Sequence, residues 1–431
     1  MNKMKMKGSL KAKKTYRKTV LRKKTPVFLE KHTKPDSQFI RTDLKIKAPT
    51  GGSFIEYEDL KEKPVIAEIL KGDDFDSMRL KRLLAMPDLA RKENSPVKFI
   101  LDEILKIKDF SMFDVVKIPE TVTVKNAFDL FNFPQEHPGR RPTDTYFLDS
   151  ERILRTHTTS MWLYYLSDKE VLERLNKNGW VGELCYGKVY RKDEIDRKHF
   201  PVFHQIDGMF VAKKSEKTVT LKMLQDVLAN IMKSVFGNSI EYRFLDDAFP
   251  FTNPSTQIEI KWGNDWLEVV GAGIVHNNVL KNFGLDPEIY NGWAFGFGLE
   301  RLAIMKMKIP DIRVLWSEDK RITNQFKNIN SVYEEVSKYP EIIRDISFIV
   351  DKSTSLNGFY EIVRHCAGDL AEEVKLIDQF ENAKKFGENK KSYTFRVVYR
   401  SHERTLTNEE INIIHKQVEE MTVKDLKAVI R

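Results

Sequence analysis

"GWAFGFGLERLAIMKMKIPDIRVLW", residues Gly292 to Trp316, changes its period halfway along. Its first third sets glycines among aromatics, a spacing that lets backbone pass close to something flat or bulky. Leu299, Leu302, Ala303 and Met305 then recur at helical spacing, so the stretch reads as strand, tight passage, helix. Arg301 falls in the first turn of that helix, beside the glycine gap, where it could hold a phosphate or a carboxylate. The plainer alternative is a core strand and helix packed through small residues, with Arg301 in an ordinary ion pair.

Outward from this stretch, alternation marks more strands: "DTYFLD" (Asp144–Asp149), "GELCYGKVYRKDE" (Gly182–Glu194), "VFHQIDGMFVA" (Val202–Ala212), "SIEYRF", "TQIEIKW" and "DWLEVVGAGIV". A long helix is expected over Leu221–Phe236. Another is expected after Ser95 as cap and Pro96 in the first turn, with Phe99, Ile100, Ile104 and Leu105 on one face. Strands clustered around a few helices indicate an antiparallel α+β core. The last hundred residues start afresh as β-α-β-β-α with room for a final short strand, a ferredoxin-like order. Its last helix has Thr407 as N-cap and Glu410 at the capping-box position. The boundary is expected near Asn328–Lys338. Residues 35–75 show weak periodicity and read as a loosely structured extension.

Several short stretches carry chemistry. In "VYRKDEIDRKHFPVFHQIDG" a strand delivers Arg191, a polar loop holds Asp193, Asp196 and His199, and a returning strand sets Phe203, Gln205 and Asp207 on one face. Arg191 and His199 could clamp a phosphate, or the hairpin could be a solvated one with ion pairs. In "LRTHTTSMW", His157, Thr158 and Thr159 precede a helix, where hydroxyls usually cap but can also bind an ammonium. "FPFTNPS" turns Phe249 and Phe251 one way, into an apolar pocket or into core. "WLEVVGAG" carries Glu268 into a glycine gap, a candidate magnesium ligand near phosphates. Together these describe a site for a nucleoside triphosphate beside an apolar pocket. There is no Walker-type or GxGxxG-type loop.

Composition sets limits. The 431 residues are 41% hydrophobic and 31% charged, with no apolar run of membrane-spanning length and only two cysteines, Cys185 and Cys366. Neither cysteine has a partner at metal-ligand spacing, so a zinc site is not expected. Residues 1–29 hold eleven Lys or Arg and no acid; the net charge of +9 less those eleven leaves the rest at −2. The basic excess is therefore an arm, read as disordered over residues 1–34 and suited to polyphosphate. Its poverty in acids also fits a targeting peptide, whereas its lysines and single serine do not.

Arg191 with Asp193 in the hairpin, and "GFGLER" ending in Arg301, resemble the second and third signature motifs of class II aminoacyl-tRNA synthetases. The Ser95–Ile107 helix stands in the place of the first. More narrowly, "HPGRRPTDTYF", "RTHTTS", the Val189–Gly208 hairpin, "FPFTNPS", "WLEVVGAG", "GWAFGFGLERLAI" and "IPDIRVLW" resemble the single-chain, mitochondrial-type phenylalanyl-tRNA synthetases. "KYPEIIRDISF" and "YRSHERTLTNEEI" resemble their ferredoxin-fold anticodon-binding domain. The resemblance covers residues 78–431. It implies a class II catalytic domain over 78–328, an anticodon-binding domain over 338–431, and an extension of unknown role over 35–77.

The resemblance also implies roles. Arg191 would hold the α-phosphate of ATP and Arg301 the γ-phosphate, with Phe203 under adenine, His199 assisting and Glu268 holding Mg2+. L-Phenylalanine would place its ring between Phe249 and Phe251, over Ala294 and near Gly296. Thr159, Gln205 and Asp207 would meet its amino group, and His157 belongs to the same substrate-binding set. The product would be phenylalanyl-adenylate, passed to the 2′-hydroxyl of the terminal adenosine of tRNA(Phe). Thr159 stands where the family usually has Ser, Trp162 where it often has Gln, Asp207 for a commoner Glu, and Asn253 where several relatives carry Glu. A monomer without an editing region is expected. The cytoplasm is the expected compartment, with the mitochondrial matrix as the alternative. The competing reading is a non-catalytic synthetase-like regulator that binds tRNA or amino acid; retention of Arg191, Glu268 and Arg301 argues against it.

Overall fold

A computed structural model of the chain describes residues 39–336 and 339–431. The basic arm lies outside them. Eleven strands make up the first part of the chain: β1 (Phe39–Lys47), β2 (Ser53–Asp59), β3 (Asp114–Lys117), β4 (Thr121–Thr123), β5 (Arg152–Leu154), β6 (Trp180–Tyr190), β7 (Val202–Lys213), β8 (Tyr242–Asp247), β9 (Thr252–Trp262), β10 (Asp265–Val275) and β11 (Tyr290–Gly298). Nine of them form one sheet in the order β1-β2-β3-β6-β7-β11-β10-β9-β8, while β4 and β5 pair separately. Every pairing in the large sheet is antiparallel except β2 with β3 and β3 with β6.

Strand parity decides which residues meet which layer. On β7, Ile206, Phe210 and Ala212 enter one apolar layer, beneath the helices Pro96–Leu105, Leu221–Phe236 and Leu299–Met307. Met209 and Val211 enter the other, against the helices Met161–Ser167, Lys169–Asn178 and Asn277–Asn282. The Pro96–Leu105 helix is capped by the Ser95 hydroxyl, which accepts from the Val97 amide at 3.2 Å. It buries Val97, Ile100, Leu101, Ile104 and Leu105, while Phe99 stays half-buried. Each such aliphatic side chain contributes about 1.5–3 kcal/mol.

The closing module is a four-stranded sheet, β13-β14-β12-β15, made from β12 (Ile342–Asp351), β13 (Ala371–Phe380), β14 (Lys390–Tyr399) and β15 (Val429–Ile430). Its helices are Asn357–Ala367 and Asn408–Leu426. Thr407 caps the second as expected, accepting from the Glu410 amide at 3.2 Å, but the Glu410 carboxylate turns to Arg404 instead of completing the box. The first carries no side-chain cap. The module docks on the hairpin loop that follows β6: Ile195 enters its core, and Arg364 donates to the carbonyls of Asp193 and Glu194.

Two expectations are corrected. Residues 39–59 are not loosely structured, because β1 and β2 lengthen the large sheet. "DTYFLD" is not a strand. Thr145 N bonds back to Arg141 O in a turn, and the Asp149 carboxylate caps the amides of Glu151 and Arg152, leaving one isolated bridge, Phe147 to Ile153.

Candidate active site

The cavity continues the second apolar layer. Odd-numbered residues of β7 point the same way, so beyond Met209 the core face becomes Asp207, Gln205 and Phe203. There the sheet opens into a cavity of about 530 Å³. Register places Gly296 of β11 opposite Asp207, with Gly271 of β10 beside it. These glycines form the trough: a Cβ at Gly296 would lie 2.4 Å from Asp207 Oδ1, and one at Gly271 would lie 2.7 Å from the Phe249 ring.

One end of the cavity suits an amine attached to an apolar group. Asp207 is buried, which pushes its pKa up to about 6 even though Thr158, Thr159 and Arg191 favour its ionised form. Thr159 Oγ1 donates to Asp207 Oδ1 at 2.8 Å, and Thr158 donates to Oδ2. Neither hydroxyl caps the helix that follows; both turn inward. Gln205 Oε1 is buried without a partner, an acceptor ready for a donor. His157 donates its Nε2–H to Ala127 O, 2.9 Å away, and burial lowers its pKa to about 4, so the ring is neutral. Apolar walls complete this end. Phe249 and Phe251 stack on each other with centroids 5.6 Å apart. A third ring slipped between them would need roughly 7 Å, twice a van der Waals contact. The expectation that they sandwich a substrate ring is therefore corrected: the pair forms one wall, and Ala294 lines the cavity with it.

The opposite end suits an anion. Arg191 reaches the cavity with Nε fixed on Thr156 O at 2.9 Å and its guanidinium over the Phe203 ring at 5.2 Å. The protein around it lowers its pKa, although the group is accessible from the cavity. His199 Nδ1 bonds Asp196 Oδ2 at 2.8 Å, and that bond raises the imidazole pKa despite partial burial. Arg301 is exposed and rests on the Glu268 carbonyl at 2.9 Å. The Glu268 side chain is itself exposed at the cavity edge.

Thus all of Arg191, Arg301, Glu268, His157, Thr159, Gln205, Asp207, Phe249, Phe251, Ala294, Gly296, His199 and Phe203 line a single cavity. Sequence reasoning missed Phe131 and Phe133, which line it too. Phe133 stacks on His157 at 6.1 Å and lies 5.6 Å from Phe251. The signal was present: "LFNFP" repeats the aromatic, any residue, aromatic spacing that singled out Phe249 and Phe251.

Residues 83–326 match the family described as tRNA synthetases class II core domain (F), and residues 337–431 match the ferredoxin-fold anticodon binding domain. The chain is 39% identical over 359 residues to a phenylalanine–tRNA ligase, chloroplastic/mitochondrial, of Arabidopsis thaliana, covering 80% of each. It is 36% identical to the mitochondrial phenylalanine–tRNA ligase of Dictyostelium discoideum, over 77% of this chain and 81% of that one. With that of Saccharomyces cerevisiae the figures are 32%, 79% and 88%. The chain belongs to the phenylalanine–tRNA ligase family of class II synthetases.

The departures expected from other phenylalanine–tRNA ligases now have positions. The shorter carboxylate of Asp207 is met by two threonine hydroxyls, so Thr159 works with Thr158. Trp162 turns away from the cavity and packs between Phe131 and Phe283 at 5.6 and 5.8 Å, with its indole N–H buried and unpartnered. Asn253 is exposed on β9 and does not line the cavity. The three ligases cited are named for mitochondria or for plastids and mitochondria, which agrees with the organellar alternative and gives the cytoplasmic expectation no support.

Proposed function

We propose that this chain attaches L-phenylalanine to tRNA(Phe) in two steps, using ATP to form phenylalanyl-adenylate first. One observation carries the reading: a single trough joins an ammonium-binding carboxylate at an aromatic wall to two arginines aimed at an anion. Phenylalanine lays its ring against Phe249, Phe251 and Ala294, with its ammonium on Asp207 and Gln205. Its carboxylate then faces the α-phosphate held by Arg191, while adenine lies on Phe203 and Arg301 receives the far phosphate with His199. The carboxylate oxygen attacks the α-phosphorus and pyrophosphate leaves. The 2′-hydroxyl of the terminal adenosine next attacks the acyl carbon and releases AMP. No side chain becomes a nucleophile, so the rate comes from positioning and from charge neutralisation at the phosphates.

Glu268 offers an exposed hard carboxylate beside Arg301, which would hold a Mg2+. Such an ion would neutralise phosphate charge. A monomer is supported by the Pro96–Leu105 helix, whose apolar face is buried in its own chain. We assign the protein to mitochondria or a related organelle, as the names of its relatives favour. We also assign it no hydrolysis of tyrosyl-tRNA.

The test is ATP–pyrophosphate exchange with each of the twenty amino acids, followed by charging of a tRNA(Phe) transcript. Exchange with phenylalanine above all others is the expected result. Silence with all twenty would move the regulator reading to first place.

A further inference from the structure

Two buried titratable groups beside the cavity have no part in the scheme above. Glu300 precedes Arg301 and is 2% exposed; His204 stands between Phe203 and Gln205 and is 0% exposed. We propose that Glu300 is a positioning residue, acting through His204 to hold Arg301 and Phe203 in one register for adenylate formation. The proposal rests on the reading of the cavity as a phenylalanine-activating site.

The geometry follows from where the sheet ends. The β11–β7 ladder finishes at Gly298 opposite Gln205, and the chain then turns into the Leu299–Met307 helix. Glu300 takes over where the ladder stops. Both of its carboxylate oxygens accept from the His204 backbone N–H at 2.8 Å, and Oε1 also meets His204 Nδ1 at 2.6 Å. The far ring nitrogen, Nε2, accepts from the Leu89 N–H at 2.9 Å. An acceptor at Nε2 leaves the ring proton on Nδ1, where it is donated to Glu300. Asp88, whose carboxylate lies 3.4 Å from Nε2, is tied to Arg91. The imidazole is covered by Trp316, at 5.6 Å, which stacks on Phe200 at 5.4 Å.

One line of hydrogen bonds therefore joins three segments: residues 88–91, strand β7 and the Leu299–Met307 helix that carries Arg301. Glu300 is almost wholly buried, so a solvent donor replaces His204 poorly. A shift of about an ångström between the two elements is enough to lower a rate markedly when catalysis is mainly positioning. In the proposed scheme Arg301 and Phe203 contact ATP, whereas Phe249 and Phe251, the aromatic wall for the phenylalanine ring, lie outside both β7 and the Leu299–Met307 helix, so the loss is expected in kcat and in KM for ATP.

The test uses full-length protein and the exchange assay, with thermal melting of each variant. In E300Q the amide –NH2 faces an N–H donor and at least one of the hydrogen bonds is lost. Its kcat is expected to fall by up to about tenfold and its KM for ATP to rise, while phenylalanine binding, titrated directly, changes less than about threefold. Substitutions at His204 read the line itself. H204N keeps a donor near Nδ1 for Glu300 and should retain most of the activity. H204Q keeps an acceptor for Leu89 but no donor for Glu300, and should fall with E300Q. E300Q with wild-type kcat, or losses in all three variants that simply follow their melting temperatures, would overturn the proposal. A wild-type protein silent with phenylalanine would sink the activity reading instead.

Discussion

The two ends of the cavity are built differently. At the amine end Asp207 is buried, its oxygens are engaged by Thr158 and Thr159, and backbone glycines press against it. At the phosphate end Arg301 and Glu268 are exposed, and Arg301 is steadied by a carbonyl instead of a carboxylate. Arg191 stands between them, with its Nε on a carbonyl and its guanidinium over an aromatic face. The amine end is pre-formed for one small rigid guest. The phosphate end leaves its charge unspent until an anion arrives, because a cation held by a neutral carbonyl keeps its field for the ligand.

The largest expected effect separates the two arginines. Arg191→Ala should lower kcat for exchange by about 10³-fold, as loss of an oriented donor at the charge that develops on the reacting phosphate does. Arg301→Ala should cost about tenfold, more at low salt than at high salt, because exposed charges are screened. Equal losses in the two variants, or a salt-independent loss at Arg301, would break the comparison.

At the amine end Gly296→Ala should raise KM for phenylalanine by about 10²-fold and leave KM for ATP unchanged. The added Cβ would sit 2.4 Å from Asp207 Oδ1 and 3.0 Å from Gln205 Nε2. Strands on both sides keep the backbone from moving, so Asp207 has to turn and forfeit hydroxyl partners, each worth about 1.5–3 kcal/mol when the acceptor is charged. An ATP effect of similar size would mean that the two ends are coupled through β11. Exchange kinetics with each substrate varied in turn decide this.

This contrast also explains what the sequence could reveal. Arg191, Glu268 and Arg301 sit at the mouths of strands with strong alternation, and β7, β10 and the Leu221–Phe236 helix fall where period and caps put them. β1 was missed because an edge strand is wet, with Ile40 and Leu44 exposed among charges, and β2 because its alternation is short, only Ile55 and Tyr57 alternating with glutamates. "DTYFLD" misled because Tyr146 and Leu148 pack in one small apolar cluster and Phe147 against another, so apolar residues are covered without a ladder. The stacking of Phe249 on Phe251, the turn of Trp162 away from the cavity, and the bonds from Glu300 to His204 depend on side-chain directions that spacing alone does not carry.

The smallest expected effect is the one that ties the ends together. Asp207 binds an ammonium only when ionised, and its pKa lies near 6. As pH falls through 6 the carboxylate takes up a proton, and at pH 5 about one site in ten is still ionised, so KM for phenylalanine should be roughly tenfold above its value at pH 7.5. Asp207→Asn should show a high KM with this dependence removed. Burial raises this pKa, whereas Thr158, Thr159 and the Arg191 charge restrain it. Removing the Arg191 charge must therefore raise it further. In Arg191→Ala, which retains Asp207, the rise in KM for phenylalanine should begin at a higher pH than in the wild type, measured by direct titration so that slow exchange does not interfere. A midpoint that stays at 6 would mean that the guanidinium does not reach Asp207 electrostatically, and that the two ends of the trough work as independent sites.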